Sequence, residues 1–268
     1  MFIYHDQLNR EIILPSAPKR IISIVPSQTE LLFDLGLDKR IIGITKFCIH
    51  PKDNVKHTAK IGGTKQLNIE KIKALQPDLI IANKEENERS QVEELMNVCP
   101  VWIRDINDLA SAIDMIERVG EVVGKKAEAQ YLAGKIAQKF ESLAISPSHK
   151  RVAYFIWRNP YMVAGRGTFI DSMLQKCGLM NVFEQDRYPE VTVEQLAEAN
   201  PDVVLLSSEP YPFKEEHIVE LKAILPQAVI KLVDGELFSW YGSRLLHSPE
   251  YFEHLMAKII GEIKKQSV

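Results

Sequence analysis

One pattern occurs twice in this chain and restricts its fold more than any other feature. Asn68-Ile69-Glu70-Lys71-Ile72, four residues, then Pro77-Asp78-Leu79-Ile80-Ile81 is matched by Thr192-Val193-Glu194-Gln195-Leu196, four residues, then Pro201-Asp202-Val203-Val204-Leu205. Asn68 and Thr192 each offer a side-chain oxygen to the free amides of a helical first turn. Glu70 and Glu194 put a carboxylate where the helix dipole favours it. Each Pro-Asp pair then turns the chain into a β-branched run that reads as a buried strand. A helix-then-strand unit that recurs in this way predicts two related α/β halves.

The rest of the chain extends that reading. Apolar runs at residues 20–25, 41–44, 78–82 and 101–103 are expected strands, and residues 27–35, 68–75 and 88–96 expected helices. Ser27 is placed to cap the first helix and Gly36 to end it. Residues 109–143 form two helical segments interrupted only around Gly120 and Gly124, longer than an ordinary crossover helix. Strands then follow at residues 152–156, 202–206 and 229–233, with helices near 169–177, at 193–199 and from Pro249 onward. The expected fold class is α/β: two Rossmann-like lobes, each a mainly parallel sheet with helices, joined by one long backbone helix. The expected divisions are an N-terminal lobe over residues 1–108, linking helices over 109–145 and a C-terminal lobe over 146–268, a length sufficient for two cores.

Charge and cysteine usage narrow the partners. A formal net charge of −3 gives no basic face for nucleic acid. Cys48, Cys99 and Cys177 are odd in number and lack a Cys-x-x-Cys spacing, so neither a disulfide framework nor a zinc knuckle is expected. In residues 1–19 charges interrupt every apolar run, so no secretory or membrane-spanning segment is read there, which points to the cytoplasm.

Three features together resemble a known family. They are Ser27-Gln28-Thr29-Glu30 after the first strand, the two glutamate-bearing repeats, and Trp240-Tyr241-Gly242-Ser243-Arg244 near the end. Their order is similar to the solute-binding proteins of ABC importers whose lobes are joined by a long helix, the helical backbone metal receptors. The Gly62-Gly63 to Glu70 region and Tyr188-Pro189-Glu190-Val191 are similar to the cobalamin-binding branch. The resemblance implies a cleft between lobes for a cobalamin-like or other metal-chelate ligand (corrinoid, haem or ferric siderophore). It also implies an extracytoplasmic location, docking on membrane subunits of the importer through Glu70 and Glu194, no required cofactor and a monomeric state.

Loops after strand ends are where such a ligand is expected to bind. Here they hold Phe47, Cys48 and His50, then Trp157, Arg158, Tyr161 and Met162, then Tyr188, and finally Trp240, Tyr241 and Arg244. Flat aromatic faces suit a macrocycle, and guanidinium groups suit its carboxylates. By resemblance Phe47, Met162 and Tyr188 fall at cleft-lining positions, with Met162 and Tyr188 departing from the family pattern. His50 or Cys48 is a candidate axial ligand to a metal already held by a macrocycle. Glu85-Glu86-Asn87-Glu88 reads as an acidic helix start, with cleft lining or cation binding as the alternative.

Two further readings stay open. One is a cytoplasmic ligand sensor or carrier on the same fold. The other is an α/β enzyme using Cys48 and His50, although GxxxxGK[ST], GxSxG and HExxH are absent from the sequence. Gly165-Arg166-Gly167 is followed by Ile170 where a dinucleotide fingerprint needs glycine. No catalytic residue is assigned.

Overall fold

The computed structural model describes residues 1–266. The chain divides into two compact units. The first comprises Met1–Ile106, Ala110–Ala137 and Tyr241–Arg244; the second comprises Asn107–Leu109, Gln138–Trp240 and the residues from Leu245 onward. Among the described residues no helix is long and apolar enough to cross a membrane.

In the first unit the elements run β1 (Phe2–His5), β2 (Glu11–Leu14), β3 (Ile21–Ser23), α1 (Pro26–Asp34), β4 (Ile41–Ile44), α2 (Lys52–His57), β5 (Ala59–Lys60), α3 (Ile69–Ala74), β6 (Leu79–Asn83), α4 (Arg89–Leu95) and β7 (Val101–Arg104). Strands β5, β4, β3, β6 and β7 form, in that order, a parallel five-stranded sheet. Every residue of β3, β6 and β7 is buried, which is why these strands read as unbroken apolar runs rather than alternating ones. Strands β1 and β2 form an antiparallel hairpin. Its turn is tied to the edge strand β7: Arg10 Nη2 donates to the Val101 carbonyl at 2.8 Å, and Gln7 Oε1 accepts from the Asp105 amide at 2.6 Å.

Helix α1 starts one residue earlier than expected. Val25 stands at the cap and Pro26 opens the helix, so Ser27 is not its N-cap. Proline suits this position because its missing N–H would be unpaired there anyway. Gly36 ends the helix with φ +73°, as a left-handed terminator requires.

Helices α5 (Leu109–Val122) and α6 (Lys126–Glu141) follow. The break between them lies at Gly124, φ +72°. Gly120 lies inside α5: a Cβ there would stand 2.1 Å from the Ala129 Cβ, so this glycine lets the two helices touch. The division between units falls between Ala137 and Gln138, inside α6, so one unbroken helix of about 24 Å carries the chain from one unit into the next.

The second unit contains β8 (Lys150–Trp157), β9 (Tyr161–Val163), α7 (Phe169–Lys176), β10 (Leu179–Asn181), β11 (Glu190–Val191), α8 (Val193–Ala199), β12 (Val203–Ser207), α9 (Glu215–Ile224), β13 (Val229–Val233), α10 (Glu236–Ser239) and α11 (Ser248–Gln266). Its sheet runs β11-β9-β8-β12-β13, with β10 also on β8. The pairs β10·β8, β8·β12 and β12·β13 are parallel, whereas β8·β9 and β9·β11 are antiparallel. Phe155, Val163, Leu196, Val204, Leu206 and Phe213 belong to its core.

The sequence repeat is a structural one. Asn68 Oδ1 accepts from the Lys71 amide at 2.9 Å, and Thr192 Oγ1 accepts from the Gln195 amide at 3.2 Å. Gln76 and Asn200, the residues before each proline, both have positive φ, at 47° and 40°. The Asp78 carboxylate then accepts from the amides of Lys19 and Arg20 at 2.7 and 2.9 Å, where the chain enters β3. Asp202 accepts from the Arg151 amide at 2.8 Å, near the start of β8. Each aspartate thus pins its own strand to its sheet neighbour. Replacing Asp78 by Ala should lower the stability of the first unit by about 1–2 kcal/mol, the cost of two amide–carboxylate bonds at a partly exposed site. Urea unfolding measures this, and an unchanged midpoint would contradict the clamp.

Candidate ligand-binding site

In the first unit the loop after β4 points its side chains in alternating directions. Phe47 and Ile49 are exposed, Phe47 to 50%, while Cys48 is buried. The ammonium of Lys46 lies 5.1 Å from the Phe47 ring centroid. Beneath Phe47 lies Gly63, where a Cβ would approach the ring to 3.1 Å. At Gly62, φ +108°, a Cβ would come within 2.4 Å of the Gln66 carbonyl, so this turn requires glycine.

Cys48 does not serve the role expected of a metal or catalytic thiol. Its sulfur sits 3.1 Å from Thr29 Oγ1 and 3.2 Å from Thr45 Oγ1, and burial pushes its pKa up, so the reactive thiolate is disfavoured. The same enclosure removes the Cys48/His50 nucleophile pair. His50, by contrast, is half-buried. Among the described residues no group of three or more His, Cys, Asp or Glu gathers as a metal site.

In the second unit β8 ends in an exposed aromatic, and the turn beyond it is held by a carboxylate. Trp157 is 40% exposed and packs edge-on to Tyr211 at 5.7 Å. Glu220, on α9, accepts from Arg158 Nη2 at 2.7 Å and from the Tyr161 hydroxyl. Burial and the adjacent Glu220 raise the Tyr161 pKa to about 12, while Arg158 and Tyr161 hold the Glu220 carboxyl below its usual value. Met162 and Tyr188 are half-buried on β9 and in the loop before β11. Arg158 and Tyr161 are thus preorganised by an acid that no motif singled out. Its separation from them in sequence left no local signal.

The segment expected to end the second lobe splits between units. Trp240 belongs to the second, where its indole Nε1 donates to Glu209 at 2.8 Å, as does the Ser239 hydroxyl at 2.7 Å. Burial raises the Glu209 pKa, and the hydrogen bonds from Ser239 and Trp240 oppose that rise. Tyr241 and Arg244 belong to the first unit. There the Tyr241 hydroxyl donates to Glu86, and Arg244 grips Glu30 through Nε and Nη2 at 2.9 and 2.6 Å. Arg244 is therefore held on α1 by Glu30, as Arg158 is held by Glu220. Glu86 likewise serves Tyr241. Asn87 is buried and donates to the Ile24 carbonyl at 3.0 Å, so this acidic run organises the end of the first sheet.

Glu70 and Glu194 occupy equivalent second positions of α3 and α8, and both are exposed. Glu70 accepts from Lys73 at 2.9 Å. The Glu194 pKa is lowered by a hydrogen bond from Thr192, which keeps it anionic.

The chain belongs to the periplasmic binding protein family, whose model matches residues 21–224. It is a binding protein and not an enzyme. It is 26% identical over 261 residues to an uncharacterized ABC transporter substrate-binding lipoprotein, YvrC, of Bacillus subtilis, covering 91% of this chain and 82% of that one. A vitamin B12-binding protein of Salmonella paratyphi A is 25% identical over 198 residues, covering 71% and 73%. The solved structure of the periplasmic heme-binding protein BhuT in complex with two hemes is similar with a TM-score of 0.79 and 25% identity, over 90% of this chain and 98% of that one.

The Glu220 network generates a pH prediction. In Glu220→Gln the Tyr161 phenol should titrate well below about 12, because the neighbouring anion is gone while Arg158 remains. Ultraviolet or NMR titration of the tyrosines reads this, and an unmoved Tyr161 would show that burial alone sets its pKa.

Proposed function

We propose that this protein is the extracytoplasmic solute-binding component of an ABC importer and that its ligand is a metal chelate of the corrinoid, haem or siderophore type, with a cobalamin-like corrinoid preferred. The observation that carries the ligand class is the end of β8: an exposed indole, Trp157, beside a guanidinium and a phenol fixed by Glu220. A planar ring system with acidic substituents matches that set, since its face stacks on indole and its carboxylates meet Arg158. Phe47 and His50 in the first unit, and Tyr161, Met162, Tyr188 and Trp240 in the second, complete the proposed ligand-facing residues. His50 remains the candidate axial donor, because Cys48 is enclosed.

The family membership, the lipoprotein relative and the B12- and heme-binding relatives support this reading. The same comparisons favour an extracytoplasmic location over the cytoplasmic one read from residues 1–19. Glu70 and Glu194 are the proposed contacts to the membrane subunits, one on each unit. Exposed carboxylates at matching helix starts provide steering and register for a basic partner.

Two outcomes are expected. Trp157→Ala should weaken ligand binding about tenfold with little change in stability, as loss of one stacking surface would. The double variant Glu70→Lys, Glu194→Lys should reduce transport by about 100-fold through like-charge repulsion while leaving solution affinity unchanged. Affinity and uptake measured on the same double variant decide the point. Full transport, or affinity lost in step with uptake, would reduce both glutamates to helix-start residues.

A further inference from the structure

Tyr211, in the second unit, stands beside the exposed indole of Trp157, and its hydroxyl is held in one hydrogen-bonding sense. The half-buried phenol ring packs edge-on to Trp157 at 5.7 Å and against Phe213 at 4.8 Å. Its amide donates to the Ile156 carbonyl at 3.3 Å. Packing and backbone therefore place the ring, and the hydroxyl is not needed for that purpose.

His217 decides what the hydroxyl can do. It is the third residue of α9 and is buried. Its Nδ1 lies 2.8 Å from the Lys214 amide, which can only donate. Nδ1 must then present its lone pair, so the ring proton sits on Nε2 and the doubly protonated ring does not fit this arrangement. Nε2 faces Tyr211 Oη at 3.3 Å and the Glu216 carboxylate at 3.8 Å, and both can accept. The imidazole thus gives its proton to the phenol oxygen and does not receive one from it.

A second donor meets the same oxygen. Arg158 is held above the usual arginine pKa by Glu220 first, and by a hydrogen bond to Tyr211 as well. With two donors on its oxygen, Tyr211 has its own proton left to give. Among the described residues no acceptor takes it. Glu220, the nearby carboxylate, is already engaged by Arg158 and Tyr161. Only water competes for that proton in the unliganded protein, so a ligand must offer a better acceptor.

We propose that Tyr211 is a ligand-binding residue whose hydroxyl donates to a carboxylate on the edge of a ring system stacked against Trp157, and that His217 is the positioning residue that fixes this polarity. The inference rests on the end of β8 being the ligand face, and it adds the chemistry of one substituent. A donor-only group at that place meets the Arg158 and Tyr211 donors and no acceptor, so cationic substituents are selected against.

The probe is 2-naphthoate, with 2-naphthylmethylammonium as the donor-only analogue of the same ring. Calorimetry should show saturable binding of 2-naphthoate and none of the ammonium. Tyr211→Phe keeps the ring that braces Trp157 and should weaken 2-naphthoate about tenfold, the value of one hydrogen bond to a charged acceptor, with the urea midpoint unchanged. His217→Asn keeps an oxygen for the Lys214 amide and withdraws the Nε2 donor. It should weaken 2-naphthoate about threefold alone and add nothing to Tyr211→Phe, whereas a merely structural histidine would cost the same in both backgrounds. Nitrogen-15 spectra of the unliganded protein, with His217 assigned by its loss in His217→Asn, should show the ring protonated on Nε2. Protonation on Nδ1 would reverse the phenol and overturn the proposal. So would 2-naphthoate held equally by the native protein and Tyr211→Phe, or by neither, and haemin or cyanocobalamin binding would then still uphold the chelate reading. Loss of 2-naphthoate in Tyr211→Phe without binding of either chelate would do the opposite, upholding the Tyr211 donor and striking the chelate class.

Discussion

Each of the two large sheets is pinned by one aspartate at the entry of a central strand. Asp78 and Asp202 stand at the same point of a repeated helix–turn–strand unit, and each carboxylate takes the backbone amide of the strand that its own strand must pair with. The bond fixes register at the first residue of a parallel pair, where a slip would turn the buried face outward. With register fixed, the carboxyl ends of the strands fall at set heights, and the loops that follow inherit their positions. Phe47 follows β4, Trp157 closes β8 and Glu209 follows β12 because of this ordering.

A second layer of carboxylates then holds the side chains of those loops. Glu220 fixes Arg158 and Tyr161, Glu209 fixes Trp240, Glu86 fixes Tyr241, and Glu30 fixes Arg244. Aromatic and guanidinium groups with their polar ends already satisfied lose less rotamer freedom when a ligand arrives. The arrangement provides aromatic and guanidinium faces whose polar ends are already engaged by carboxylates. Cys48, the thiol weighed as a nucleophile, is buried against two threonine hydroxyls.

The α/β class, the repeat and most central strands were legible in the sequence because they rest on local rules: capping residues, Pro-Asp turns and unbroken apolar runs. What was missed has non-local causes. The β1–β2 hairpin owes its place to Arg10 and Gln7 reaching residues 101 and 105. Strands β9 and β11 are three and two residues long, too short for a period to show. Gly120 read as a break because its role, contact with Ala129, lies across a turn. The aromatic candidates were found by type. Their carboxylate partners were not, because Glu209 and Glu220 stand 31 and 62 residues from Trp240 and Arg158. The Glu30 partner of Arg244, 214 residues away, left no local signal either.

The central claim is that these strand-end loops bind a metal chelate. Titration of the purified protein with cyanocobalamin and with haemin, followed by quenching of tryptophan fluorescence and by the ligand's absorption bands, tests it most directly. The account predicts saturable one-site binding of at least one of them in the micromolar range or tighter, corresponding to about 8 kcal/mol or more. Unchanged fluorescence and unshifted bands with both, together with the same result for a ferric siderophore, would contradict it.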